Sequence, residues 1–404
     1  MIKMGAVEVK TGIYSVGILN PAMRIFDVIM RTEYGTTYNS YVVKGSEKTA
    51  LIEVSHAEFF DSYLSNIKEV CDPAEIDYIV LNHCEPDHSG ALADLMKYCP
   101  NAKIVVSKAG SIYLKNITNR TDLDVISPKD GETIDLGGKT LKFISAPLLH
   151  WPDSMFTYVE EDKTIFTCDF FGAHYCEPYV FDKNIVYEKA YEEAMHYYYV
   201  AIFGPFKAAV QKGLEKALAL DFDTACVSHG PVLTKGAKLE YVIEKYKEWS
   251  APTESDKKNI PVFYCSAYGN TGKIAEAIAA GISEVIPEAN VEVLNINDYD
   301  MGELSAKLNG SDAFAIGTPT INSDAVAPVW NLLSHVDAIN NRKKPAFVFG
   351  SFGWSGEGVP NVIARLNGLK MNVFGDGLKV TFVPSEADLE NAKAQGAEFA
   401  KTFA

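Results

Sequence analysis

Short apolar runs alternate with amphipathic stretches along almost the whole chain. Strand-like runs at Ser40–Val43, Thr49–Glu53, Ile76–Leu81 and Lys103–Val106 are interleaved with helix-like stretches such as Ala57–Val70 and Gly90–Tyr98. That order predicts an α/β architecture, a two-sheet αββα sandwich, over residues 1–250. Lys189–Leu220 reads as helical and is unusually aromatic, with Tyr197, Tyr198, Tyr199, Phe203 and Phe206. Most of these rings are expected in the core or an interface, with one phenol placed beside a polar pocket. A helix at Gly236–Trp249 closes this part, and a polar linker follows at 251–259. From residue 260 the pattern restarts with the apolar run Ile260–Cys265, then a helix from Lys273. The segment 260–404 alternates strand and helix as a doubly wound, five-stranded parallel sheet requires.

Composition narrows the possible partners. The 404 residues, 47% of them hydrophobic, suffice for two domains with sizeable cores. A net charge of -16 argues against nucleic acid or an anionic membrane, because both select basic surfaces. Met1–Lys10 lacks the apolar segment of a signal peptide, and no apolar run is long enough to span a bilayer. Seven cysteines with no CxxC pair suggest reduced thiols. The expected location is therefore the cytoplasm. The cysteines form neither a rubredoxin module nor an iron–sulfur site, so any electrons used must arrive from outside the chain.

The densest chemistry lies directly after the run Ile79–Leu81. In His83-Cys84-Glu85-Pro86-Asp87-His88, four potential metal ligands fall within six residues. With extended backbone past the strand, residues 83, 85 and 87 point to one side and His88 comes from the start of the next element. Such an arrangement serves two adjacent metals. The alternative is a polar loop capping a helix that begins at Ser89-Gly90-Ala91. Three further strand ends carry His150, Asp169 and His229, each followed by turn residues. Singly each is an ordinary cap or turn former; together with the dense segment they make a ligand set. His174 and His196 are expected as ordinary histidines or as polar neighbours of the site.

A second constellation follows residue 260. Ser266-Ala267-Tyr268-Gly269-Asn270-Thr271 connects a strand to a helix N-terminus, where converging backbone N–H groups and the helix dipole favour a phosphate. There is no trailing Gly-Lys-Ser/Thr, so it is not a Walker loop, and there is no GxGxxG. Two more strand-end loops, Thr318-Pro319-Thr320-Ile321-Asn322 and Ser351-Phe352-Gly353-Trp354-Ser355-Gly356, lie at the ligand-binding edge of such a sheet. Trp354 is placed to flank a planar ring.

These motifs carry a resemblance across essentially the whole chain. The first set is similar to the ligand pattern of the metallo-β-lactamase-like hydrolases, with Glu85 where most members carry histidine. A carboxylate there suits iron or manganese better than a hydroxide-generating zinc. The HxExDH form resembles the flavodiiron proteins, or A-type flavoproteins. The three later loops resemble those of flavodoxins, which bind FMN, with Tyr268 where threonine is usual.

The resemblance implies two iron ions. His83, Glu85 and His150 would hold one, Asp87, His88 and His229 the other, and Asp169 would bridge them. In some relatives the residue matching His88 is not a ligand, so its role stays open. It also implies reduction of O2 to water, of NO to N2O, or of both, with FMN passing on electrons from an external donor such as rubredoxin or a reduced deazaflavin. A head-to-tail homodimer or a dimer of dimers would bring one subunit's FMN to the other's irons. Two other readings compete: a zinc hydrolase of the β-lactamase superfamily with a flavodoxin regulatory domain, and an electron carrier with a decayed metal site. The complete set of ligand-competent residues disfavours the second.

Overall fold

A computed structural model describes residues 5–252 and 257–404. Residues 1–4 of the N-terminal segment and 253–256 of the expected linker lie outside the described residues. The chain divides into two compact units, Met1–Pro252 and Thr253–Ala404.

The first unit holds two facing sheets. One runs Val7–Lys10, Ile13–Ser15, Tyr41–Lys44, Thr49–Ile52, Tyr78–Leu81, Lys103–Val106 and Val125–Ile126, parallel from Thr49 onward. The other runs Thr133–Asp135, Thr140–Ser145, Met155–Val159, Thr164–Cys168, Thr224–Val227 and Leu233–Thr234. Side chains alternate across a strand, so each sheet has two apolar faces to bury. Tyr41, Val43, Ala50, Ile52, Val80 and Val105 meet Leu141, Phe143, Met155, Val159 and Phe166 between the sheets. The intervening residues Val42, Leu51, Ile79, Leu81, Ile104 and Val106 join a second cluster with the helix residues Tyr63, Leu64, Ile67 and Leu92. Helix Phe60–Lys68 buries Tyr63, Leu64 and Ile67 on one stripe. This is the expected αββα sandwich.

Local differences from expectation have identifiable causes. Gly90–Tyr98 is not one helix; short turns at Pro86–Ser89 and Leu92–Leu95 replace it. The Ala91 N–H donates to Ser55 O at 3.2 Å instead of continuing the helical ladder. Ala57–Val70 opens with a 3₁₀ turn, Ala57–Phe59, ahead of its helix. Lys189–Leu220 is two helices, Glu188–Tyr198 and Lys207–Leu218, joined by a π turn at Tyr199–Phe203 and a 3₁₀ turn at Gly204–Phe206. Pro205 supplies no backbone N–H to carry one helix through. The closing helix starts later than expected and covers Leu239–Ser250.

The second unit is a parallel sheet in the order Asn290–Asn295, Asn259–Tyr264, Phe314–Pro319, Pro345–Phe352, with both Asn372–Val373 and Leu378–Thr381 paired to the last of these. The expected fifth strand is thus split in two, around Gly375 and Gly377 at φ 56° and 76°. One sheet face packs Phe263, Ile316 and Val348 against Val329 and Val362. The other packs Val262, Ala315 and Phe347 against Ile274, Ile278 and Phe399. Helices on both faces leave ligands only the C-terminal strand edge.

Candidate functional site

All seven expected metal-binding side chains converge at strand ends of the first unit. His83 follows Tyr78–Leu81, His150 follows Thr140–Ser145, Asp169 follows Thr164–Cys168 and His229 follows Thr224–Val227. The backbone is not extended through residue 87. Pro86, whose fixed φ suits a first helical position, starts the turn Pro86–Ser89, so Asp87 and His88 project from helical backbone.

The seven residues form two groups around one carboxylate. His83 Nε2 and His150 Nε2 each stand 3.1 Å from Glu85 Oε2, and lie 3.8 and 3.6 Å from Asp169 Oδ2. On the other side, His88 Nε2 and His229 Nε2 stand 3.2 and 3.0 Å from Asp87 Oδ2, and 3.2 and 3.4 Å from Asp169 Oδ1. Asp169 therefore turns one oxygen to each group. The His88 ring points into the site.

Neighbouring groups fix the imidazoles. His83 Nδ1 lies 3.1 Å from Asp153 Oδ1, and Asp153 Oδ2 accepts the Cys84 N–H at 2.7 Å. His229 Nδ1 lies 2.6 Å from the carbonyl of Thr37 and so carries the proton there, leaving the Nε2 lone pair toward Asp87. Tyr198 donates to Asp169 Oδ1 at 3.0 Å; it is the phenol of the aromatic run that reaches the pocket. Tyr199 instead packs on Tyr246 and Trp249, and His196 on Trp249. Asp153, Thr37 and the buried Glu53 were not singled out by sequence reasoning. Asp153 was the most findable, three residues after His150.

The charge balance asks for cations. Burial opposes protonation of His83, yet Asp153, Glu85 and Asp169 raise it to about 10. Burial raises Asp169 too, but His88, His150 and His83 outweigh that and hold it well below the usual carboxylate range. Asp87 Oδ1 and Oδ2 and Asp169 Oδ2 are buried with no hydrogen-bond partner. Asp87 Oδ2 and Asp169 Oδ2 face only imidazole nitrogens, at 3.0–3.8 Å, and buried carboxylate oxygens without a hydrogen bond are costly unless a cation neutralises them. Four imidazoles and three carboxylates in two groups fit two first-row metal ions.

In the second unit, a cavity of about 350 Å³ opens at the sheet's C-terminal edge. From the first loop Ala267, Tyr268 and Asn270 line it; from the second Pro319, Thr320, Ile321 and Asn322; from the third Ser351, Phe352, Gly353, Trp354 and Ser355. Of the expected residues, Ser266, Gly269, Thr271, Thr318 and Gly356 do not line it but shape the loops. Gly269, at φ 79°, is an N-cap with no side chain to occupy the first N–H groups of helix Asn270–Val285. That helix begins before Lys273. Ser266 Oγ is buried without a partner, and Thr271 Oγ1 lies 2.8 Å from Ser351 Oγ. Thr318 Oγ1 accepts the Val326 N–H at 3.3 Å, and Gly356 turns at φ 77°. Tyr268 and Trp354, 91% and 94% exposed, stand as free aromatic faces on the cavity wall. Ser323, Glu357 and Phe382 also line it and were missed; Phe382 comes from the loop after the split strand, which carries no local motif.

Known proteins share the chain's two-unit organisation. The family described as ODP family beta lactamase matches residues 36–230, and the Flavodoxin family matches 262–396. A flavo-diiron protein of Clostridium acetobutylicum is 54% identical over 99% of this chain and 100% of its own length. The chain belongs to the flavodiiron proteins. As a flavodiiron protein it is an oxidoreductase. The anaerobic nitric oxide reductase flavorubredoxin of Escherichia coli is 33% identical over 99% of this flavodiiron chain and 83% of that relative. Among solved structures, the rubredoxin oxygen:oxidoreductase of Desulfovibrio gigas superposes with a TM-score of 0.70 at 29% identity, covering 98% of both chains.

Proposed function

We propose that this protein reduces O2 to water, NO to N2O, or both, at a pair of irons held by His83, Glu85, Asp87, His88, His150, Asp169 and His229. The observation that carries the reading is Asp169, buried between two ligand groups with one oxygen toward each. The hard oxygen of Glu85 at a position shared by His83 and His150 favours iron over zinc. Names of relatives support the reaction class, since one denotes nitric oxide reduction and another oxygen reduction with rubredoxin.

The second unit's cavity would take FMN. The open helix N-terminus at Gly269–Asn270 and the Ser266 hydroxyl would bind its phosphate, and Tyr268 and Trp354 would sandwich its ring system. Bound FMN and iron supply the electron storage, FMN passing on singly the electrons it takes in pairs. The protein's own residues would hold the metals in a nearly closed pocket, fix the imidazole tautomers through Asp153 and Thr37, and offer the Tyr198 hydroxyl at the Asp169 carboxylate.

The external donor is proposed to be rubredoxin or a reduced deazaflavin, and the working unit a head-to-tail homodimer or a dimer of dimers. Exposed apolar side chains on both units suit such contacts: Ile25, Val28 and Ile29 at the tip of a hairpin whose Phe26 lines the metal pocket, and Phe382 and Val383 beside the other cavity. Seven free thiols accord with a cytoplasmic location. Among the described residues no helix is long and apolar enough to cross a membrane.

The test is anaerobic reduction of iron- and FMN-loaded protein followed by O2 or NO. Consumption of at least one gas is expected; consumption of neither sinks the proposal. Loss of turnover on dilution below the dimer dissociation range would support the head-to-tail assembly, and full activity of a monomer would contradict it.

A further inference from the structure

The metal pocket is nearly closed. Its free space is about 10 Å³, and Glu85 and His150, its most exposed ion-pairing side chains, are only 13% and 14% accessible. One water fills such a volume. A larger cavity of about 280 Å³ lies between the segment after the hairpin and helix Glu188–Tyr198, lined by Arg31, Thr32, Tyr34, Glu193, Tyr197 and His174. His174 belongs to the walls of both spaces.

Two buried polar atoms in the larger cavity's wall have no partner: Thr32 Oγ1, on a residue 1% exposed, and His174 Nε2, on a residue 3% exposed. The other nitrogen of His174 is engaged, 2.9 Å from Thr36 Oγ1. That hydroxyl donates to Thr37 O at 3.3 Å, so it accepts from His174 Nδ1–H. Nε2 is left as a buried bare acceptor. Orphaned buried polar atoms of this kind mark sites of ordered water. Two hydrogen bonds tie the walls across the cavity: Tyr34 OH donates to Glu193 Oε2 at 3.0 Å, and the Arg31 N–H donates to Tyr197 OH at 3.4 Å.

We propose that this cavity is a water-filled antechamber through which the small uncharged diatomic substrate reaches the metal pocket and product water leaves it. His174 is the positioning residue that sets the width of the inner wall. A turn of one imidazole joins the two spaces with no backbone movement. The edge at Glu85 and His150 is then left to the electron-donating subunit. This inference rests on the di-iron reading above.

The experiment is stopped-flow measurement of NO association with the anaerobically reduced, iron-loaded protein and two variants. Ala194 lines the antechamber and belongs to neither ligand group, so Ala194→Phe fills the cavity; His174→Ala opens the wall. The expected result is association at least tenfold slower in Ala194→Phe and severalfold faster in His174→Ala, with iron content and the ferrous spectrum before mixing unchanged in both. Opposite signs are a result that general structural damage does not produce. Should Ala194→Phe not fold, Thr32→Met fills the same space and carries the same expectation. Rates within twofold of wild type in all variants, or slowed in all of them, overturn the antechamber while leaving the di-iron reading intact. Wild-type protein that binds neither NO nor, when O2 is mixed in its place, O2 overturns both.

Discussion

Asp153→Asn is the most informative single change, because it removes one negative charge and turns one acceptor into a donor with almost no change of volume. In the wild type both carboxylate oxygens are used, Oδ1 at 3.1 Å from His83 Nδ1 and Oδ2 accepting the Cys84 N–H at 2.7 Å, with both side chains fully buried. Burial pushes this carboxyl up, but the His83 ring and the backbone N–H groups of Cys84 and of Asp153 itself outweigh it and hold it below the usual range. A carboxylate can accept twice; a carboxamide has one oxygen. If that oxygen stays on the Cys84 N–H, the amide NH2 faces His83 Nδ1 and selects the tautomer with the proton on Nε2, the atom aimed at Glu85 and Asp169. If it turns to His83, the NH2 opposes the buried Cys84 N–H, costing about 1–3 kcal/mol in fold stability. Loss of an outer partner of a metal-binding histidine weakens binding by about 10–100-fold, or ~1.4–2.7 kcal/mol. Competition against a chelator should show that loss for one of two metal equivalents, the one facing His83, Glu85 and His150. Equal weakening of both equivalents, or affinity within twofold of wild type, would refute the tautomer argument.

Other consequences follow from neighbouring residues. Glu53 is fully buried with Oε2 unpartnered, and burial, only partly offset by His88 and His83, raises its carboxyl from 4.5 to about 7. The folded metal-free protein then holds a proton that the unfolded chain releases, so this contribution is present below about pH 4.5 and is lost as pH rises through 7. Glu53→Gln should match wild type in urea unfolding near pH 4.5 and be more stable near pH 8.5 by up to about 3 kcal/mol; no pH dependence in the difference would show that the carboxyl is not proton-bound. Tyr198→Phe should keep its metals and lose turnover about tenfold, the low end for an outer partner; unchanged turnover would remove the phenol from the account. Trp354→Ala should weaken FMN binding, read by flavin fluorescence, by about tenfold, because a stacked aromatic contributes ~0.5–1.5 kcal/mol beyond its buried area.

Much of this site was legible in the sequence because strand ends are easy to read and ligands cluster there. Each of His83, His150, Asp169 and His229 follows a mainly apolar strand of four to six residues, buried along most or all of its length except for the alternating strand Thr140–Ser145. The groups that tune them were less legible. Asp153 and Glu53 act through hydrogen bonds and charge set by three-dimensional packing, with no spacing rule to reveal them. The helix from Ser89 was misplaced because Pro86 is a helix-starting residue, while Ser55 captured the Ala91 N–H from 36 positions away. Phe382 escaped because the fifth strand of the second unit breaks at Gly375–Gly377, and periodicity does not announce a break of that kind. His174 was legible as a histidine but not as one with a free buried nitrogen.

The proposed centre would hold two irons with Asp169 between them. Its most direct test is metal analysis of protein produced with isotopically enriched iron, read together with its Mössbauer spectrum. About two irons per chain with little zinc and an antiferromagnetically coupled pair are expected, lost together in Asp169→Ala. Two zinc ions with no bound iron would contradict it and return the chain to hydrolytic chemistry.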